Sequence, residues 1–572
     1  MDLFGLPATR STTKRDQKLM KAAARAKAPA SSPTSVTLKG NKSLAGRIEA
    51  IVNLVETKFT DTEQVRLITE ESELESYITA CLENGAVAID TETSGLDPII
   101  DKLVGFSLYT PGQKAAYIPI NHISYVTEIR CDNQISQEFA AEQLKRLIHD
   151  KTKTYWFNAP FDVRVLGNNL GIWFKPYFDA YIAAMCLNSA EPKGQKGLKP
   201  LHKRYCWGNR GEALSYDKLF ENLPFYYVPI KVAWIYAAFD ALYTWELAEF
   251  QSQYIEPDGI YCEEHGLQDV AWVFRHIEME SMPTFIEMEQ NGVTMDYDHA
   301  EKLKEKYHGL TEKMEQTLAA VGAQYMPEIQ AYKRINPACK LPDPINFESN
   351  AQLAVVLYDV LGLPIVDPKK PRGVDKEILE QMNHPLANAV LDIRSFRKVI
   401  STYIDKLPET AKLYPDKRIH CKFNQYGAET GRVSSDSPNL QNIPSKPFKL
   451  SDGTKIDSGH DVRQLFKASP GHILLSCDYS GQEPRVTAHL SQDHKMIQAF
   501  RDGKDVYSEI AALSFNTTYE ECCETYPNGD DYPEGAARRS EAKRIVLGEH
   551  IIAPIRGDMY RKVCEPHYSW VS

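Results

Sequence analysis

Four carboxylates and a tyrosine in the first half of the chain could do chemistry together. Gly85-Ala86-Val87-Ala88-Ile89-Asp90-Thr91-Glu92-Thr93 is an apolar run that ends in an Asp-x-Glu pair. In a strand, residues two apart share a face, so Asp90 and Glu92 would converge on one point. Asn158-Ala159-Pro160-Phe161-Asp162 follows the apolar Tyr155-Trp156-Phe157 and supplies a third carboxylate. Tyr236-Ala237-Ala238-Phe239-Asp240 lies in a helical pattern, whose four-residue spacing puts Tyr236 and Asp240 on one face. Converging carboxylates hold hard divalent cations, which take oxygen ligands and complete their shell with water and phosphate oxygens. Taken singly, each piece is ordinary: a solvated strand end, or a packed aromatic beside a surface acid.

A second group lies in the last third. His472-Ile473-Leu474-Leu475-Ser476-Cys477-Asp478-Tyr479-Ser480-Gly481-Gln482-Glu483-Pro484 reads as a short buried strand ending near Asp478. Gly481 breaks the run and Pro484 suits the first turn of a helix. A fixed carboxylate at the exit of a core strand could hold a metal; the bland alternative is a turn former or helix cap. Upstream stand Thr430-Gly431-Arg432-Val433-Ser434-Ser435 and Pro438-Asn439-Leu440-Gln441-Asn442-Ile443-Pro444. Downstream stand Arg538-Arg539-Ser540-Glu541-Ala542-Lys543 and Leu547-Gly548.

The order and wording of these stretches resemble the family A DNA polymerases, the bacterial polymerase I type also found in phages, over roughly residues 80 to 548. The fold class implied is multidomain α/β and α+β. An RNase H-like (DnaQ-like) 3′→5′ exonuclease domain, about 61–255, would precede a partial right-hand polymerase domain, 256–548. Within the latter, the thumb would take about 298–408, part of the palm about 409–500 and part of the fingers about 501–548. The resemblance implies template-directed dNTP addition in DNA replication, with proofreading. Its partners would be primer-template DNA, single-stranded 3′ ends and dNTPs.

Residue roles follow from the same resemblance. Asp90, Glu92 and Asp240 would ligate the inner metal of the exonuclease, Asp162 would help to hold the outer one, and Tyr236 would orient the water. Two-metal hydrolysis places ions about 3.5–4 Å apart to activate water and stabilise the leaving oxygen. Mg²⁺, two ions per active site, is the expected cofactor, with Mn²⁺ as a substitute. Asp478 would be one of two palm carboxylates on the catalytic metals, joined by the Tyr479 carbonyl. Glu483 resembles the steric gate against a ribose 2′-hydroxyl. Arg539 and Lys543, four apart on a helix, would meet the triphosphate. Leu547 stands where the family usually has an aromatic, and Gly481, Gln482 and Pro484 also depart from the usual wording. Arg432, assisted by Asn439 and Gln441, would test the minor-groove edge at the primer terminus. Arg394, Lys398, Ser401, Thr402 and Tyr403 would contact phosphate and sugar from the thumb; a polar helix face in water is the alternative.

The elements that must position these residues are also legible. Lys102 to Tyr109 and Ala115 to Ile120 read as a hairpin continuing the first sheet. Leu198-Lys199 through Tyr205 is similar to the helix that follows the second exonuclease motif. Helical patterns occupy about 298–320, 350–362 and 375–407. With 572 residues and 43% hydrophobic content the chain can build two or three cores. The net charge of −11 does not exclude nucleic acid, since only a local groove must be basic. Eleven scattered cysteines without a Cys-x-x-Cys favour reduced thiols in a cytoplasm, bacterial or that of a phage-infected host. No apolar run is long enough to span a membrane.

Both ends depart from the pattern. Residues 1–60 read as a basic flexible leader: the first fifty carry ten Lys or Arg against three Asp or Glu. Lys18 to Lys27 could form a short helix and Ala28 to Thr37 a spacer. After Gly548 the family would continue to a Tyr-Gly pair, but Pro554 would break that helix. Both His-Asp dipeptides, His149-Asp150 and His460-Asp461, precede Asp478, so neither supplies the second palm carboxylate. Residues 549–572 therefore read as an aberrant tail of a truncated chain, and polymerisation would need a separate polypeptide carrying the rest. Competing readings are a stand-alone metal-dependent 3′→5′ exonuclease and a non-catalytic DNA-binding remnant.

Overall fold

The computed structural model describes residues 44–58, 62–192, 194–206, 223–255, 270–339, 341–428 and 431–550, with side chains to 545. The helix expected over 18–27, the spacer 28–37, Thr430 and the tail beyond 550 lie outside the described residues. The chain divides into two compact units between Gly471 and His472. That boundary falls inside the stretch 409–500 expected to form one palm segment.

The first unit opens with helix α1, Leu44–Lys58. Residues 44–58 were expected to belong to the flexible leader, and here the structure differs. Ile48, Ile51, Val52 and Val55, spaced three and four apart, are buried in one cluster with Val232 and Ala233. The basic composition of the leader hides this apolar stripe.

A mixed six-stranded sheet follows: β1 Val65–Leu67, β2 Ala86–Thr93, β3 Leu103–Tyr109, β4 Ala115–Pro119, β5 Lys153–Trp156 and β6 Phe178–Asp179. Its order is β1-β4-β3-β2-β5-β6. The expected hairpin is β3–β4, antiparallel, and β2 pairs antiparallel with β3 and parallel with β5. Val87, Ala88 and Ile89 of β2 are buried, which fixes the register that delivers Asp90 and Glu92 at the strand's end. The pairing shifts between Glu92 and Thr93, bending the strand beside the carboxylates. On β3, Gly105 leaves room for a ring: a Cβ there would lie 2.2 Å from the Tyr117 hydroxyl. Tyr117 uses that hydroxyl on His122 Nε2 at 2.7 Å, while His122 Nδ1 meets the Val228 carbonyl at 2.9 Å.

Helices α2 Glu71–Asn84, α3 Gln137–His149, α4 Ala159–Leu170 and α5 Ala180–Leu187 surround the sheet, followed by α6 Leu198–Tyr205 and α7 Ile230–Ile255. One buried carboxylate organises the start of two of them. Asp179 accepts from the backbone N–H groups of Asn158 and Ala159 at α4, and of Tyr181 and Ile182 at α5. Asp162 thereby sits on the first turn of a fixed helix. Helix α7 packs along β2, β3 and β4 and brings Tyr236 and Asp240 to the sheet.

Within the same unit, α8 Glu280–Asn291 joins this layer to the segment after it. Arg164 of α4 donates to Glu289 Oε2 at 2.6 Å, a pair only 3% and 4% exposed. Glu289 also accepts from the Phe423 N–H, tying in the strand Lys422–Asn424. Gly292, at φ +56°, allows the turn into the pair Val293–Thr294 and Arg418–Ile419; a Cβ would meet the Ile419 carbonyl at 2.6 Å. The long helix α9 Tyr297–Gln324 packs on α10 Pro385–Val399, where Tyr307 stacks on Phe396 at 5.2 Å.

The second unit is helical where it is ordered into elements: α11 Gln482–Ser491, α12 His494–Arg501, α13 Val506–Phe515 and α14 Pro533–His550. The buried strand expected over Ile473, Leu474 and Leu475 is not formed. These side chains are exposed, and among the described residues no strand pairs with them. An apolar run becomes a strand only when another edge takes up its backbone N–H and C=O groups. Gly481 does break the run, at φ +60°, and Pro484 lies buried in the first turn of α11.

Candidate active site

Strand β2 and helix α7 together build an acidic cluster. Asp90, Glu92 and Asp240 each offer a carboxylate oxygen, and these atoms lie within 4.8 Å of one another. No other group of three His, Cys, Asp or Glu side chains gathers in this way among the described residues. The period of two on the strand brings Asp90 and Glu92 together, and the four-residue spacing on the helix puts Tyr236 on the same face as Asp240.

Asp162 is held beside the strand. Its Oδ1 accepts from the Thr91 N–H at 3.0 Å and from the Thr91 hydroxyl at 2.6 Å. Thr91, between Asp90 and Glu92, had no role in the sequence reading. The Asp-x-Glu pattern draws attention to the outer two residues, while the middle one fixes the third carboxylate.

Burial is the first cause of the site's electrostatics, and like charge adds to it. Asp90 is pushed well above the usual carboxylate range by burial, then by Asp162, Asp240 and Glu92, with Lys199 opposing. Glu92 rises through burial and Asp240, again opposed by Lys199. Asp162 is pushed up to about 7 by burial, against the pull of its Thr91 hydrogen bonds. Asp240 is raised by burial and held down by Lys199. Carboxylates gathered this way repel one another unless a cation joins them.

The donor set fits a divalent metal: all its atoms are oxygens, which suit hard cations. The buried Asp240 Oδ1 meets the Lys199 ammonium as an ion pair, without hydrogen-bond geometry. Lys199, from the first turn of α6, is the positive charge present. Its Nζ lies 2.8 Å from each Asp240 oxygen and 3.7 Å from the centre of the Tyr236 ring. The helix that carries Lys199 is legible in the sequence, but the inward turn of this side chain is not. A lysine in a basic Lys-Pro-Leu-His-Lys-Arg string gives no sign of its inward direction.

The other expected site residues are placed as follows. Asp478, Tyr479 and Glu483 are exposed in the second unit. On α14, Arg539 makes two bonds to Asp505, at 2.8 and 2.9 Å, and one to Glu524 at 2.9 Å. Arg539 and Lys543 both lie over the Tyr507 ring, so they share a helix face. The side chain of Leu547 lies outside the described residues.

In the first unit Arg432, Asn439 and Gln441 are all exposed, and the last two make hydrogen bonds within their own loop. Asn439 Oδ1 accepts from the N–H groups of Gln441 and Asn442, and Gln441 bridges the Ser435 N–H and the Val433 carbonyl. Arg394 is tied to the carbonyls of Val374 and Glu348, which occupies donors expected to face phosphate. Tyr403 donates to the Asn442 carbonyl at 2.5 Å and Ser401 to the Lys398 carbonyl. Lys398 is exposed and Thr402 half-buried.

Comparison with known proteins gives two family matches. Residues 65–253 match the 3′-5′ exonuclease model, and residues 295–548 match that of DNA polymerase family A. DNA polymerase I of Borreliella burgdorferi is 28% identical over 467 residues, covering 81% of this chain and 46% of that protein. DNA polymerase I of Pseudomonas aeruginosa is 30% identical over 471 residues, covering 80% and 46%. That of Chloroflexus aurantiacus is 30% identical over 472 residues, covering 79% and 44%. The chain thus spans less than half the length of these relatives. A solved structure, the POL domain of Pol1 from M. smegmatis in complex with DNA primer-template and dNTP, shares the fold at a TM-score of 0.59. It is 20% identical and covers 87% of this chain and 73% of that one. Among the described residues, no helix is long and apolar enough to cross a membrane.

Proposed function

Since this chain belongs to the family A DNA polymerases and carries a 3′-5′ exonuclease domain, we propose that it degrades DNA from 3′ ends in support of template-directed dNTP addition. The observation that carries the exonuclease part is the meeting of Asp90, Glu92 and Asp240 within 4.8 Å. These three would hold one divalent ion, with Asp162 contributing to a second; Mg²⁺ is the ion proposed, and Mn²⁺ its substitute. When bound, such ions supply an activated water and charge stabilisation for the leaving oxygen. The chain's own residues do the rest. Thr91 fixes Asp162, and strand β2 presents Asp90 and Glu92 together to Asp240. Tyr236, one helical turn before Asp240, is the residue proposed to orient the attacking water.

For the polymerase part, Asp478 and the Tyr479 carbonyl are proposed metal ligands, and Glu483 the gate against a 2′-hydroxyl. Arg539, Lys543 and Leu547 are proposed contacts to the nucleotide. Arg432 is proposed to read the primer terminus, with Asn439 and Gln441 shaping the loop beside it. Lys398, Ser401, Thr402 and Tyr403 are proposed thumb contacts to the duplex, with Arg394 behind them as a tie. The relevant partners would be primer-template DNA and dNTPs, as in the M. smegmatis complex, in a cytoplasmic setting that keeps the cysteines reduced.

One observation favours a second reading, an exonuclease that acts without polymerisation: the carboxylates of the first unit gather, while Asp478 has no such company among the described residues. The test uses a 5′-labelled primer on a longer template with Mg²⁺, with and without dNTPs. Shortening that ceases in Asp90→Ala and Asp240→Ala supports the exonuclease site, and shortening that persists in both sinks it. Extension with dNTPs separates the first reading from the second.

A further inference from the structure

The geometry points to Lys199 as a tethered competitor of the metal: its ammonium and a divalent ion take the Asp240 carboxylate alternately, so this lysine sets how much metal the site requires. This inference rests on the exonuclease reading of the cluster.

Three observations carry it. The ammonium lies 2.8 Å from both oxygens of Asp240, one of the three carboxylates that would hold the ion. Lysine has three donors and no acceptor, so it can add nothing to a metal's shell and only consumes lone pairs the metal needs. Both side chains are mostly shielded, at 16% and 12% exposure, so water screens the contact weakly.

The helix gives the second observation. Lys199 is at the first turn of α6, where the backbone dipole disfavours a cation. The contact with Asp240 opposes that cost.

The third is an alternative seat. The ammonium is also 3.7 Å from the centre of the Tyr236 ring, and Tyr236 and Asp240 share a face of α7. A cation over an aromatic face keeps much of its stabilisation without any carboxylate. Lys199 can therefore leave Asp240 without leaving the site.

The experiment measures Mn²⁺ binding to the full chain, without DNA, by the electron paramagnetic resonance signal of the free ion. Lys199→Met is expected to bind on the order of tenfold more tightly than wild type, the size of one charge-assisted hydrogen bond removed from competition. Lys199→Arg keeps the charge and should stay within about twofold of wild type. Equal or weaker binding by Lys199→Met would overturn the proposal, because a lysine that assists the metal or ignores it gives that result. Asp90→Ala separates this from the site itself: undiminished Mn²⁺ binding there defeats the exonuclease reading, whatever Lys199 does. Should Lys199→Met fail to fold, wild-type crystals grown with and without Mn²⁺ decide the matter. The lysine is expected to leave Asp240 for the Tyr236 ring when Mn²⁺ binds, and an unmoved ion pair beside bound metal refutes the competition.

Discussion

Two aspartates follow apolar runs in this chain, and the surroundings of the two runs are opposite. Ile89, before Asp90, is 1% exposed in a strand paired on both sides. Ile473 and Leu475, before Asp478, are 84% and 81% exposed, and no strand pairs with them among the described residues. The sequence signal is nearly the same in the two places. Neighbouring strands make the difference: β3 and β5 fix the register of β2, and register decides where Asp90 and Glu92 point. A carboxylate motif is a geometric statement only when the backbone beneath it is paired.

The largest effect should come from the support beneath the first site. Glu289→Ala leaves Arg164 buried without its partner, and losing one member of such a pair costs about 3–5 kcal/mol. Urea unfolding followed by tryptophan fluorescence should show this loss in the transition of the first unit. A loss below about 1 kcal/mol, the range of exposed pairs, would mean that this core is as open as the segment around Asp478.

The same core should have a pH signature. Burial lowers His122 from 6.5 to about 4, so the folded state refuses a proton that the unfolded chain accepts. Its contribution is complete above pH 6.5 and is lost as pH falls toward 4. Between pH 7 and pH 5 that amounts to about 2 kcal/mol. The raised carboxylates of the cluster act in the opposite sense, since their folded forms bind protons more readily. The proper readout is therefore the difference between wild type and His122→Gln in urea unfolding at each pH. A difference that does not change with pH would remove His122 from the account.

Much of the exonuclease half was legible because its signals are local and periodic. The run into Asp90, the hairpin after it and the Tyr236–Asp240 spacing each follow from side-chain alternation or helical pitch. What escaped was direction and partnership. Nothing in the Lys199 neighbourhood says that this lysine turns toward Asp240. Nothing in Arg394 says that its donors go to the Val374 and Glu348 carbonyls. The helix 44–58 was hidden inside a basic leader, where composition masked an apolar stripe at helical spacing. In the second unit the apolar run 473–475 predicted a strand from hydrophobicity alone, without the partners that would make it one.

Thr91→Val sharpens the comparison at the level of one hydroxyl. The isosteric change removes the 2.6 Å bond to Asp162 and keeps the backbone N–H at 3.0 Å. Loss of an outer partner of a metal ligand, the role proposed for Asp162, costs roughly 10–100-fold, and the surviving N–H puts the expected fall in 3′-end release near tenfold. Release from labelled single strands at saturating Mg²⁺ measures it. An unchanged rate would show that the backbone alone places Asp162.

The smallest effect belongs to the run before Asp478. Leu475→Ser removes an apolar side chain that buries almost nothing, so the stability of the second unit should change by no more than about 0.5 kcal/mol. The matching change in the first unit, Ile89→Ala, should cost about 2–5 kcal/mol, because it opens a cavity in a closed core. The pair of variants turns the contrast into one number, the difference between their unfolding free energies. If Leu475→Ser costs as much as Ile89→Ala, the run is buried in solution and Asp478 stands on a formed strand. A near-zero cost means that Asp478 is carried by backbone which no strand among the described residues pairs, and that its carboxylate gains a fixed position only from whatever edge that backbone meets.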